Sequence, residues 1–431
     1  INVTLYTLFT LFTYYIYLAP MHPERLFIKD FLYKLPEERI AKYPLPQRDQ
    51  SKLLIYKQGE IKEDIYYNLD KYIPASSLLV FNNTKVIEAR LLFQKSTGGT
   101  IELFCLEPGD EYPDITTAMT RKGKVVWKCL AGGAKKWKKE PLIKMIRIIE
   151  NHSKEIILTA KKIKNEKDYF LVELSWNDES LSFAELLHFA GAVPLPPYLH
   201  REAEEDDKER YQTIYAKYDG SVAAPTAGFH FTERLFKKLD EKNIHRDFVT
   251  LHVGAGTFKP VKSETMMGHE MHAEYIEVRK DFIENLLNHL HNNIIAVGTT
   301  SLRTIESLYW LGVKTIIQPE ILLHDLQLQQ WEAYDLNPGN VSIEQSLQAL
   351  LQWMKKNETE ILITKTQIII APGYDLKIAN ALITNFHQPQ STLLLLVAAL
   401  VHDNWKKIYD YALANNFRFL SYGDGNLIWK S

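Results

Sequence analysis

Cysteine is almost missing from this sequence: 431 residues contain two, Cys105 and Cys129. A disulfide framework and a four-cysteine zinc site are excluded, and a reducing compartment is expected. Excess charge is missing too. With 51 Lys and Arg against 53 Asp and Glu, the formal net charge is −2. No global field draws nucleic acid, so any RNA contact must come from a local patch. Beyond residue 20, apolar runs long enough for a membrane are absent. The longest, Thr-Leu-Leu-Leu-Leu-Val-Ala-Ala-Leu-Val at 392–401, is far short of a span and reads as a buried core helix. There is no internal repeat and no low-complexity tract. What is present, 46% hydrophobic and 24% charged residues, is the composition of a globular chain, and a length of 431 residues suggests two folding units.

Residues 1–20 depart from this picture. The stretch INVTLYTLFTLFTYYIYLAP has no charge, begins with Ile and is long enough on paper to cross a bilayer. It lacks the basic start and cleavage site of a secretory signal, and the flanking charges of an anchor. The preferred reading takes Met21 as the start and the preceding residues as translated upstream sequence, with an uncleaved anchor as the alternative. A cytoplasmic protein without membrane association is expected.

Between residues 26 and 90 the pattern is mixed. A polar turn at 43–50 precedes a strand at 52–56, and a buried strand at 77–81 runs into the loop Asn82-Asn83-Thr84-Lys85. From 91 to 176 short alternating runs at 100–106, 125–130, 155–159 and 169–174 lack a helical period, which predicts a small β-barrel or sandwich. Helical patterns follow at 183–190, 233–242, 281–292, 302–311, 343–356, 392–402 and 404–415, with strands at 248–253, 294–297, 367–371 and 417–421. The expected fold class is α/β. A layered α/β domain of residues 21–90 and 177–431 would carry an inserted small β-barrel at 91–176.

Several segments have the residue types that chemistry needs. Residues 221–232, Ser-Val-Ala-Ala-Pro-Thr-Ala-Gly-Phe-His-Phe-Thr, combine small residues that let backbone approach a ligand with Thr226, His230 and a helix N-cap at Thr232. Residues 250–258 run from a strand past His252 into Gly254 and Gly256, a ligand cradle that is neither a phosphate loop nor a dinucleotide fingerprint. In Gly268-His-Glu-Met-His-Ala-Glu274, His269 and His272 have metal-donor chemistry, but the H-E-x-H spacing suits acid–base work or hydrogen bonding better. Thr299, Thr300 and Ser301 open a helix whose free N–H groups favour an anion, and Arg303 adds a fork; the bland alternative is a capped helix with an Arg303–Glu306 surface pair. Asn385 and His387 precede the apolar helix, and Tyr422 and Asp424 end the 417–421 strand. A basic stretch, Arg121, Lys122, Lys124, Lys128, Lys135, Lys136, Lys138, Lys139, Lys144 and Arg147, holds a single acid, Glu140, and is interleaved with Trp127 and Trp137. It offers phosphate contact and base stacking, or only a solvated face.

In this order, these segments resemble the S-adenosylmethionine:tRNA ribosyltransferase-isomerase family of queuosine biosynthesis. The match also takes in residues 47–54, 81–87, 89–91, 97–99, 193–198, 209–213, 297–301, 384–387, 391–394 and 417–424. The resemblance implies an α/β domain carrying a small β-barrel. It also implies a transferase without metal or cofactor that consumes S-adenosylmethionine. The ribosyl group moves to the aminomethyl group of a 7-deazaguanine wobble base in tRNA and is isomerised, giving epoxyqueuosine, adenine and methionine.

Such a reaction needs a base near the C–H beside the sulfonium, a hydrogen bond for departing adenine, and anchors for the methionine carboxylate and the tRNA base. Residue chemistry assigns proton handling to His230, His252 and His272, with Glu274 as orienting or basic partner. Thr299, Thr300, Ser301 and Arg303 suit the carboxylate. Asn82, Arg90, Asn385 and His387 suit base or ribose, and Arg48 and Asp49 the rim. Thr226, Gly254, Gly256, Tyr422 and Asp424 complete the expected binding set. A monomer is expected.

The chain departs from the family text. Asn83, Lys85 and Glu88 replace an Asp, an Arg and a Pro, Glu270 stands where Lys is common, and Gly425 where Ala is. A divergent branch is implied. Two further readings are a paralogue that binds tRNA or S-adenosylmethionine without turnover, and a metal-dependent hydrolase using His269 and His272.

Overall fold

The computed structural model describes residues 22–95, 98–138, 140–148, 154–254, 261 and 263–431. Residues 1–20 with the expected start at Met21, and also Lys139 and Gly256, lie outside them.

Among the described residues, eighteen strands form three sheets. In chain order the first are β1 (Lys52–Lys57), β2 (Glu60–Ile65), β3 (Leu78–Asn82) and β4 (Thr84–Val86). Then come β5 (Arg90–Gln94), β6 (Thr100–Pro108), β7 (Lys124–Gly132), β8 (Leu142–Ile148), β9 (Lys154–Asn165), β10 (Phe170–Trp176) and β11 (Gly191–Ala192). The last are β12 (Tyr218–Ser221), β13 (His245–Leu251), β14 (Glu274–Arg279), β15 (Ile294–Val297), β16 (Ile361–Thr366), β17 (Ala381–Asn385) and β18 (Gly425–Trp429).

The largest sheet has the order β16-β14-β13-β3-β15-β17-β18-β1-β2. Its centre, β13-β3-β15-β17, is parallel. Every residue of β3, β15, β17 and β18 is buried, as expected of strands covered on both faces. Alternate side chains feed two cores. Leu78, Val80, Ala296 and Leu382 pack towards the helices Thr299–Ile317, Ile343–Lys356 and Thr392–Val401, while Leu79, Phe81, Ile295 and Ile383 pack towards the helix Glu233–Glu241. Ser342 and Gln345 form a capping box that starts one of these helices, and Thr232 caps another, as its sequence position predicts.

The second sheet, β11-β5-β6-β7-β10-β9-β8, is antiparallel throughout. It curls around Trp127, Phe93, Leu103 and the buried, reduced pair Cys105 and Cys129. β5 and β8 approach each other without a ladder between them, so among the described residues the curl stays open rather than closing as the expected barrel. A two-stranded ladder, β4 with β12, joins the two regions.

Two expected strands are absent. Residues 367–371 are an extended buried segment after β16, because an apolar run alone does not separate a strand from a buried connector. Residues 417–421 turn at Leu420, whose φ is +68°, and the strand is β18, which follows. β17, only five residues long, is a strand that the sequence pattern does not mark.

Candidate functional site

In an open α/β sheet, groups at the carboxyl ends of parallel strands share one edge. Here β3 ends at Asn82, β13 at Leu251 before His252, β15 at Val297 before Gly298, and β17 at Asn385 before Phe386 and His387. The antiparallel neighbours start there: Asn385 pairs with Gly425 of β18, and Leu251 with Ile276 of β14, one turn of pleat from Glu274. Topology therefore gathers motifs that lie far apart in sequence.

A cleft opens at this edge. Its walls include Ala224, Thr226, Thr299, Thr300, Asn385 and His387. The small residues of the 221–232 segment let its backbone form one wall. Gly298 has φ +91°, a conformation that favours glycine, and it turns β15 directly into the helix Thr299–Ile317. No side chain caps that helix, so its first N–H groups face the cleft with the positive end of the dipole.

Asn385 is the hub. Its amide oxygen accepts from the Thr226 hydroxyl at 2.9 Å, and its NH2 donates to His230 Nε2 at 3.3 Å. His230 is buried and stacks on Tyr66, with ring centroids 4.0 Å apart. Burial lowers its pKa from 6.5 to about 3, so the imidazole is neutral. Its other hydrogen bond is to the Arg48 backbone. His387 lines the cleft, bonds Thr384 Oγ1 at 3.0 Å, and is likewise held neutral by burial, with a pKa lowered to about 3.

His252 belongs to a second network. Nε2 faces Glu277 Oε1 at 3.1 Å, and Nδ1 lies 3.3 Å from Thr84 Oγ1. Thr84 contacts Ser221 Oγ at 2.7 Å, and Ser221 accepts from the Val253 N–H at 2.8 Å. A carboxylate on one ring nitrogen and a hydroxyl relay on the other fix the ring. A Cβ at Gly220 would lie 2.7 Å from His252 Nδ1.

Other expected ligand groups are engaged within the protein. Asn82 donates to Leu251 O and Thr300 Oγ1 and accepts from the N–H groups of Thr84 and Leu251, so it ties strand ends together rather than facing a ligand. The Ser301 hydroxyl donates to Val297 O at 2.8 Å. Arg303 is buried, not on the surface, and pairs with Glu274 rather than Glu306. Glu274 also accepts from the Gly254 N–H at 3.2 Å. Glu306 is buried and accepts from the N–H groups of Lys377, Ile378 and Ala379; burial raises its pKa. Arg303 Nη2 has no partner among the described residues.

Asp424 accepts from Lys52 N, Arg418 N and the Arg418 guanidinium, and Tyr422 donates to Asp207 at 2.8 Å. Arg48 donates to the carbonyls of Glu209 and Gln212. Burial alone would raise the pKa of Asp49, but hydrogen bonds from Arg234 and Thr232 hold it below its ordinary value. Arg90 sits in the curled sheet between Glu102 and Phe104. His272 is exposed, and burial with nearby His272 lowers the pKa of His269. No cluster of three metal-donor side chains exists among the described residues. Trp127 and Trp137 are buried and unavailable for base stacking.

Sequence reasoning missed Glu277, Thr84, Ser221 and Tyr66 as partners of the histidines. Their roles arise from pairings across strands, which single-sequence spacing does not carry. Asn83 accepts from the Thr250 hydroxyl at 2.7 Å, a role a carboxylate would fill equally, so this departure leaves the local geometry intact.

A sequence profile of the queuosine biosynthesis protein family matches residues 28–428. The chain is also similar to a crystal structure of the S-adenosylmethionine tRNA ribosyltransferase from Thermotoga maritima at 2.00 Å resolution. Identity is 27%, with 93% of this chain and 99% of that chain covered and a TM-score of 0.43. The chain belongs to the queuosine biosynthesis family.

Proposed function

Starting from that membership, we propose that this chain transfers and isomerises the ribosyl group of S-adenosylmethionine onto a 7-aminomethyl-7-deazaguanine base in tRNA. The products are epoxyqueuosine in tRNA, adenine and methionine. The observation that carries the reading is the family match over residues 28–428.

The geometry supports it chemically. The uncapped start of the helix Thr299–Ile317 gives the cleft a pole for the methionine carboxylate. Thr226, Asn385 and neutral His387 offer donors and acceptors suited to adenine or ribose. His230 acts as a positioning residue through Asn385, since a pKa lowered to about 3 makes it a weak base. Proton handling falls to His252, with Glu277 as its orienting partner. S-adenosylmethionine is a consumed substrate, and the reading calls for no metal and no resident cofactor.

Incubation with S-adenosylmethionine and tRNA carrying the aminomethyl base tests this directly. Stoichiometric release of adenine and methionine, with the matching gain in nucleoside mass, is the expected result. Tight binding of both substrates without product would overturn the assignment in favour of a binding paralogue.

A further inference from the structure

The basic stretch in the curled sheet is not one surface. Lys128 is bound to Glu107 and Asp110, Lys144 donates to the Ala190 carbonyl at 2.7 Å, and Arg147 faces Glu155. What the fold assembles instead is a lysine cluster around the turn Ala134–Lys136 and the residues after it. Lys95 reaches from the end of β5 to donate to the Lys136 carbonyl at 2.9 Å. Lys162 reaches from β9 to donate to the Trp137 carbonyl at 3.0 Å, with its ammonium 4.6 Å from the Trp137 ring centroid. Lys135, Lys136 and Lys138 stand exposed beside them. None of these five has a carboxylate partner among the described residues, whereas neighbouring Lys164 is paired with Glu166.

A groove opens beside the cluster, lined by Gln94, Lys95, Lys138, Leu142 and Ile143, with Glu140 the one acid among its described residues. Trp137 is no stacking platform; buried, it is the floor on which Lys162 lies. Among the described residues such a surface has point charges on flexible stems and no exposed aromatic or arginine fork. It suits phosphates, whose contacts position a nucleic acid, and not base edges, which carry sequence. On a chain of net charge −2 it is a local basic patch complementary to a polyanion.

We propose that this lysine groove of the curled sheet docks the phosphate backbone of the tRNA substrate while the cleft takes the modified base. The proposal rests on the tRNA-modifying reading above, and its test separates the two. The triple variant K135E/K136E/K138E and its neutral counterpart K135Q/K136Q/K138Q are compared with wild type and with the distant K406E/K407E control. tRNA binding is measured from 50 to 300 mM salt, alongside turnover and S-adenosylmethionine affinity.

The glutamate variant should weaken tRNA binding roughly tenfold or more and reduce the log–log salt slope by about two to three. KM for tRNA should rise at unchanged kcat, with S-adenosylmethionine affinity and melting temperature retained. The glutamine variant should fall between, and the control should match wild type. Wild-type tRNA affinity and salt slope in both triple variants, with turnover intact, would overturn the groove and leave the reaction standing. Loss of binding that is equal in the control, or a wild-type protein that binds no tRNA, overturns it too, and the second outcome removes the reaction as well.

Discussion

The two sheets treat polar side chains in opposite ways. At the strand ends of the nine-stranded sheet, Asn82, Glu274, Asn385 and Asp424 are buried, and their amide and carboxylate atoms are bonded to backbone or to neighbouring side chains. On the curled sheet the charges stand outside, and the interior is apolar down to its two thiols. A buried polar group left without its partner costs about 1–3 kcal/mol, and more if charged, so such networks hold one geometry rigidly. Exposed charges hold no geometry, yet they set the field a ligand meets. Similar substitutions should therefore be severe at one sheet and mild at the other.

The severest test is Glu274→Gln. It leaves the Arg303 guanidinium buried opposite a neutral amide, and loss of one member of such a pair costs about 3–5 kcal/mol. Urea unfolding should show this, and the double variant R303M/E274L should recover most of it. Wild-type stability in E274Q would mean that the pair does not hold this edge together.

Next is Asn385→Ala, which releases Thr226 and His230 together. Adenine release should fall on the order of a hundredfold, the size of losing one preorganised donor. The accompanying stability loss should be only about 1–3 kcal/mol. Gly220→Ala probes the other network from behind, since its Cβ would press on the His252 ring and lower kcat while sparing KM. If neither change slows turnover beyond its effect on folding, the buried edge is structural only.

The acid side of the stability curve sharpens the contrast. His230 and His387 protonate near pH 3 in the fold but near 6.5 when exposed. Between these values the unfolded chain binds more protons, so stability is full above about pH 6.5 and declines as pH falls towards 3. His387→Asn should flatten that decline in melting temperature against pH. An equally steep decline in the variant removes His387 as a cause.

This same contrast governs what the sequence reveals. Helices with strong caps and period, such as Ile343–Lys356 behind Ser342, were legible to the residue, and the α/β alternation followed from them. The short strand β17 was not, because its five residues offer neither length nor alternation. Several motif segments, 250–258, 297–301 and 384–387 among them, lie at strand ends along one edge of the sheet. They did not reveal that Asn82, Ser301 and Asp424 use their polar atoms on the protein itself, or that Glu277 faces His252. Those facts depend on register between strands distant in sequence. The lysine groove was half legible: the basic run is local, but Lys95 and Lys162 join it only through folding, and the tryptophans turn inward.

The mildest effect is expected inside the curled sheet. Cys105 and Cys129 sit directly across β6 and β7 with their sulfurs 4.0 Å apart, both buried. Burial shields both sulfurs and pushes the Cys129 thiol well above its ordinary range, so at pH 8 a thiol reagent should reach neither until the sheet opens. Cys129→Ala removes one sulfur from an apolar interior and should cost about 1 kcal/mol, without changing adenine release. Labelling should then follow global unfolding as urea is raised. Rapid labelling in native buffer would show instead that the open seam between β5 and β8 admits solvent. The curled sheet would then breathe independently of the edge that carries the cleft.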